Sequence, residues 1–190
     1  MVKIGFICEG DTEVKVVKSD EFQQWLGQIG LACVLPIEDA RGNGNLLPHN
    51  IDTHRKTLFK AGAKAILILT DLDKENSIDA VQQRIGNFSD QHIIVSVKQL
   101  EAWFLADSQT LGTLLGESFT FDKPETDANP YETIRQLFID KTGRGIGTKP
   151  MLARRMLKYG FSLERAAAHP NCPSARYFLT KLQTIASATF

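Results

Sequence analysis

Residues 66–73, Ile66-Leu67-Ile68-Leu69-Thr70-Asp71-Leu72-Asp73 (ILILTDLD), run through four aliphatic side chains and then place two carboxylates two positions apart. A short, uninterrupted aliphatic run is the pattern of a strand covered on both faces, as in parallel sheets flanked by helices. Alternate strand residues point the same way, so Asp71 and Asp73 are expected to project together where the strand ends. Open parallel sheets bind ligands outside the carboxyl ends of their strands, which makes this pair a candidate site.

Working outward, VKIGFIC at 2–8 reads as a first strand, followed by a helix from about Glu13 to Leu26 with Val14, Val17, Phe22, Trp25 and Leu26 on one face. LACVLPIE at 31–38 reads as a second strand and ARGNGN as a turn-rich loop. A helix is expected over about 47–61, the central strand over 63–69, a helix over 78–85 and a strand, HIIVSV, over 92–97. This alternation predicts an α/β fold: a mainly parallel sheet of about four strands flanked by helices. Beyond Glu101 helical periodicity takes over, in EAWFLADSQTLGTLL, YETIRQLFIDK, MLARRMLKYG and SARYFLTKLQTIA, with Pro150 and Pro173 in first turns and FTFDKPETDANP as a loop. The expected organisation is a core at 1–107 with a helical C-terminal extension, 108–190, packed on it as one compact unit.

A chain of 190 residues, 43% hydrophobic, is long enough for one well-formed core. Cys8, Cys33 and Cys172 are widely spaced, with no C-x-x-C pair, which fits a reducing compartment. MVKIGFIC is too short and too soon acidic for a signal peptide, and no apolar run approaches the roughly 18 residues of a membrane span. A cytoplasmic protein without membrane contact is expected. Net charge is zero, yet residues 1–140 carry 13 Lys/Arg against 21 Asp/Glu, and residues 141–190 carry 9 against Glu164 alone. Such asymmetry suits a polyanion-binding face beside a metal-binding face; equally, the two halves could attract each other within the fold. His49, His54, His92 and His169 lack metal-ligand spacing, and no Ser/His/Asp or Cys/His constellation supports covalent catalysis.

The first strand ends as the central one does, in CEGDTE, with Glu9 at its carboxyl end and Gly10 allowing a tight turn into a helix. Glu9, Asp71 and Asp73 are therefore expected at one rim. Three neighbouring carboxylates raise one another's pKa unless a cation neutralises them, and an all-oxygen set suits Mg²⁺ or Mn²⁺. Plainer roles stand beside this one: Asp is a common turn and capping residue, Asp11 or Thr12 could cap the first helix, and Glu13 could complement its dipole. Likewise Trp103, Phe104 and Leu105 read first as core, and Glu101 as an acid in a helix first turn.

Together, ICEGDTE after the first strand and LTDLD after the third resemble the two hallmark motifs of the TOPRIM fold: a catalytic Glu and a metal-binding D-x-D shared by topoisomerases, bacterial primases and OLD (overcoming-lysogenization-defect) nucleases. VKQLEAWFLAD at 97–107 resembles a branch of uncharacterised bacterial TOPRIM-like proteins related to those nucleases, and the Lys of GTKPMLARRM stands where that branch tends to be basic. The resemblance covers about residues 3–107. It implies metal ligation by Glu9, Asp71 and Asp73, with Glu13 and Glu101 as second-site ligands, so that two metals clamp the attacking and leaving oxygens of a phosphodiester displacement. It further implies that Lys149, with Lys98, stabilises charge on the phosphate.

GRGIGTKP lacks the G-K-[ST] ending of a Walker A loop, and no topoisomerase tyrosine domain or primase zinc site is evident. The leading expectation is thus a Mg²⁺- or Mn²⁺-dependent nuclease, acting in bacterial phage defence with a separately encoded ATPase. Arg144, Lys149, Arg154, Arg155 and Lys158 are the expected contacts to nucleic-acid phosphates. The alternative is a catalytically silent module that holds metal and phosphate while regulating a partner. A receiver- or phosphatase-type fold with a nucleophilic Asp ranks last, because the D-x-D follows the third strand rather than the first.

Overall fold

The aliphatic runs do form the centre of a parallel sheet. The computed structural model describes residues 1–188. Strand β1 (Val2–Cys8) pairs on one side with β2 (Leu31–Cys33) and, further along, β3 (Glu38–Asp39), and on the other with β4 (Ala65–Asp71). Beyond β4 lies β5 (Gln91–Ser96). Every pairing is parallel, so the carboxyl ends of β1, β3, β4 and β5 share one edge.

Strand alternation divides the core in two. Phe6, Leu67, Leu69 and Ile94 face one side, while Ile7, Ile66, Ile68, Ile93 and Val95 face the other. The second face is covered by α3 (Pro48–Lys60) and α4 (Ile78–Ile85) through Ile51, Leu58, Val81 and Ile85. A Cβ at Gly5 of β1 would stand 2.9 Å from the Leu58 side chain, so α3 approaches this closely only because that position is glycine.

The first face is covered by α1 (Asp11–Lys18), α2 (Asp20–Gln28), α5 (Glu101–Ala106), α6 (Ser108–Leu115), α7 (Pro130–Thr142), α8 (Lys149–Lys158), α9 (Leu163–Ala168) and α10 (Pro173–Ser187). Phe178 of α10 stacks on Trp103 at 5.7 Å between ring centroids, lies 5.9 Å from Phe22 and meets Phe6 edge-on at 6.4 Å. The helices after residue 107 thus share one core with the sheet. Asp107 itself is buried, capping α6 through Thr110 N (3.2 Å) and pairing with Arg165 (2.9 Å), which is no linker's role.

Several boundaries differ from the sequence expectation. The helix expected over 13–26 is two helices, broken at Ser19, whose Oγ accepts from Phe22 N and starts the second. The strand expected over 31–38 is split into β2 and β3 around Pro36, which has no N–H to give a ladder. The central strand runs two residues further than expected and includes Asp71. Asp107 divides the long helix read after Glu101, a 3₁₀ turn (Pro124–Thr126) interrupts the expected loop, and α9 is too short to show periodicity. Among the described residues, no helix is long and apolar enough to cross a membrane.

Candidate functional site

The carboxyl edge of the sheet gathers acids from four elements. Glu9 follows β1 directly, and its Oε2 accepts from Thr70 Oγ1 (2.5 Å) and Asp71 N (3.1 Å), which ties it to the end of β4. Asp71 Oδ1 accepts from Ser96 Oγ (2.5 Å) and Leu100 N (2.8 Å), leaving Oδ2 toward Lys149 Nζ at 3.9 Å. Glu13 enters from the first turn of α1 and Glu101 from the first residue of α5. Glu101 is 1% exposed, and neither of its carboxylate oxygens has a hydrogen-bond donor. Lys149 Nζ lies 3.2 Å from Oε2, close enough for an ion pair but out of hydrogen-bond alignment.

Two expectations about this rim are corrected. Asp73 does not continue the alternation of the strand: β4 ends at Asp71, and Asp73 has φ 48°, in the left-handed region, with its N–H donated to the Lys98 carbonyl at 2.9 Å. Its placement follows from a turn rather than from strand pleat. Nor does Asp11 or Thr12 cap α1. Gly10 is the N-cap, and Glu13 Oε2 reaches back to Gly10 N at 3.1 Å, the half of a capping box that a glutamate supplies.

Burial dominates the electrostatics. It pushes the Glu13 carboxyl up to about 8, helped by Glu101 and Glu9 and opposed by its backbone hydrogen bond and Lys149. Burial, then Glu13 and Glu101, raise Asp71 well above the usual carboxylate range, against the hydrogen bond from Ser96. Glu101 is raised by burial too, with Lys149 opposing and Asp73 adding to the rise. Burial also opposes the Lys149 charge, but Glu101, Asp71 and Glu13 more than offset it, and its pKa lies above the ordinary lysine value. Lys149 begins α8, where the helix dipole disfavours a cation, so its neighbouring carboxylates are what hold it there.

The donor set is oxygen only, which suits Mg²⁺ or Mn²⁺, and the two undonated oxygens of Glu101 are buried acceptors of the kind a cation satisfies. Among the described residues, no three His, Cys, Asp or Glu side chains stand close enough together to hold a metal ion in this arrangement. The cation that bridges Asp71 and Glu101 in this structure is the Lys149 ammonium.

Of the other expected phosphate contacts, Arg144, Arg154, Arg155 and Lys158 are all exposed and, among the described residues, form no ion pair. Among the described residues, only Lys141, Lys149 and Arg165 of the basic C-terminal stretch pair with acids earlier in the chain, so attraction between the two halves accounts for part of the charge asymmetry. Sequence reasoning missed Thr70 and Ser96, which orient Glu9 and Asp71. A polar Thr inside ILILTDLD was a visible signal, whereas Ser96 emerges only from the ladder that sets it opposite Asp71. No family model, curated protein or solved structure matches the chain.

Proposed function

We propose that the rim binds Mg²⁺ or Mn²⁺ through Asp71, Glu101 and Glu13, with Glu9 and Asp73 beside them, and that the protein is a metal-dependent phosphodiester-processing enzyme, a nuclease. The observation that carries this is Glu101: a carboxylate 1% exposed, with neither oxygen in hydrogen-bond alignment and the Lys149 ammonium at 3.2 Å as its cationic neighbour, is a buried acceptor that a divalent ion can take over once Lys149 turns away. A bound divalent ion would supply charge neutralisation at phosphoryl oxygens and a nucleophile at neutral pH. The chain's own groups do the rest. Thr70 and the Asp71 amide fix Glu9, and Ser96 and the Leu100 amide fix Asp71, so the two acids are oriented before ligand arrives. Lys149, its side chain 35% exposed, can turn from Glu101 to a phosphate oxygen and stabilise the charge that develops there. Arg154, Arg155 and Lys158 on α8 and Arg144 before it offer sequence-independent attraction to a nucleic-acid backbone.

The TOPRIM-like assignment belongs to the same proposal, supported by a Glu after β1 and a D-x-D at the end of the adjacent β4. A cytoplasmic location, a role in bacterial phage defence and a separately encoded ATPase partner rest on the sequence reading alone. Incubation of the purified protein with plasmid, linear and single-stranded DNA and with RNA, in Mg²⁺, Mn²⁺ or EDTA, tests the activity. Metal-dependent cleavage abolished in Asp71→Asn is expected; intact nucleic acid in every metal would contradict it. The alternative, a silent metal- and phosphate-binding regulatory module, is favoured by one observation: Lys149 already bridges two of the acids. Binding of nucleic acid without cleavage would select it.

A further inference from the structure

A second polar cluster lies among the loops that follow β3 and β4. Arg84 of α4 reaches two loops at once. Its Nη1 donates to the Asn43 carbonyl at 2.9 Å, in the loop that follows β3. Its Nε lies 3.3 Å from Glu75 Oε1, in the loop that follows β4 and contains Asp73, but without hydrogen-bond alignment. Nε and Nη2 are both buried and have no acceptor. A guanidinium presents five N–H donors in a planar fork, and leaving the Nε/Nη2 side unmet costs the desolvation of those groups.

Both loops are joined to the candidate site. Gly42 N donates to the Glu9 carbonyl at 2.7 Å, so the loop holding Asn43 is pinned against the residue that ends β1. That contact is made by a backbone at φ 118°, which favours glycine, and by Arg41 before it at φ 60°. The Arg41 side chain is exposed and, among the described residues, forms no ion pair. The Nε/Nη2 edge of an arginine is the edge that takes an oxyanion two-pronged, and Glu75, the carboxylate at that edge, leaves both donors without an aligned acceptor.

We propose that Arg84 forms an anion subsite for a phosphate next to the one processed at the carboxylate rim, so that bound nucleic acid runs from α8 across the rim to the loops after β3 and β4. The substrate placement rests on the function proposed above; the anion site does not. Glu75 is the competitor that an incoming phosphate displaces: it is 38% exposed, unaligned with the guanidinium and free to turn to water.

The test is calorimetric titration of inorganic phosphate into the full-length chain in EDTA, which excludes any metal-borne contribution. Wild type should bind. Arg84→Gln should bind about tenfold more weakly, the loss of a charge-assisted hydrogen-bonded pair. Arg84→Lys should weaken binding as well, because an ammonium cannot present the fork. Glu75→Gln should tighten binding by about threefold, the effect of removing one exposed competing charge. That last result separates the subsite from a mere loop tie, since loss of a structural Arg84–Glu75 link would weaken binding instead. Wild-type affinity in Arg84→Gln, no phosphate binding by wild type, or weaker binding in Glu75→Gln would each overturn the proposal. Cleavage in Mn²⁺ is scored separately. Phosphate binding without cleavage keeps the subsite and removes the nuclease, whereas cleavage with an unchanged KM in Arg84→Gln keeps the nuclease and removes the subsite.

Discussion

Glu13→Gln should make the metal-free protein more stable, and increasingly so as pH rises. The Glu13 carboxyl is 5% exposed, and burial raises its pKa from an ordinary 4.5 to about 8. A carboxyl kept protonated by the fold contributes its full share of stability below the unfolded pKa and loses it as pH climbs through the folded one. Between pH 5 and pH 8 this difference removes on the order of 3 kcal/mol from the wild type. Glutamine has nearly the same shape, keeps an oxygen for Gly10 N and does not titrate, so the variant should escape that loss. Asp71 and Glu101 shift in the same direction and leave a residual slope in both proteins, so the informative quantity is the difference between the two curves. Urea unfolding in EDTA at several pH values measures it directly; in thermal unfolding the gap at pH 8 should be about 6–12 °C for a domain of this size. Parallel stability curves for wild type and Glu13→Gln from pH 5 to pH 8 would refute the reasoning that these acids are held together at an electrostatic cost.

Phe178→Ala should destabilise the fold by about 3–5 kcal/mol in denaturant unfolding, because the ring joins Trp103, Phe22 and Phe6 at the centre of the core. Arg154→Ala and Arg155→Ala should each reduce the log–log salt slope of nucleic-acid affinity by about one unit, measured by anisotropy over a range of salt concentrations; an unchanged slope would remove α8 from the interface. Lys149→Ala should lower the cleavage rate on the order of 10²-fold while leaving the fold intact by circular dichroism, the usual loss when one charge-stabilising donor is removed.

The parallel sheet was legible because its central strands carry their burial in the local pattern: Ile66–Leu69 has no polar residue for solvent, and Ile4–Cys8 is buried throughout. Glu9 and Asp71 could be placed at one edge for the same reason, since each directly ends such a run. Asp73 could not, because alternation holds only inside a strand and the chain turns through a left-handed residue there. Ser96 depends on the register between β4 and β5, and Arg84 on contacts across about forty residues of chain, neither of which is a local signal. Which side chains join the C-terminal helices to the sheet was also hidden. The helical run after residue 107 is expected to pack on the core, but only tertiary contacts show Phe178 and Met156 in the same apolar cluster as Phe6 and Leu67.

Calorimetric titration of Mn²⁺ into the wild-type protein and into Glu101→Gln, at a pH where both are folded, tests most directly whether the buried acids exist to hold a divalent cation. The account predicts stoichiometric binding by wild type, accompanied by proton release from the raised carboxyls, and binding weakened at least about tenfold in Glu101→Gln. Equal Mn²⁺ affinity in the two proteins, or none in the wild type, would contradict it.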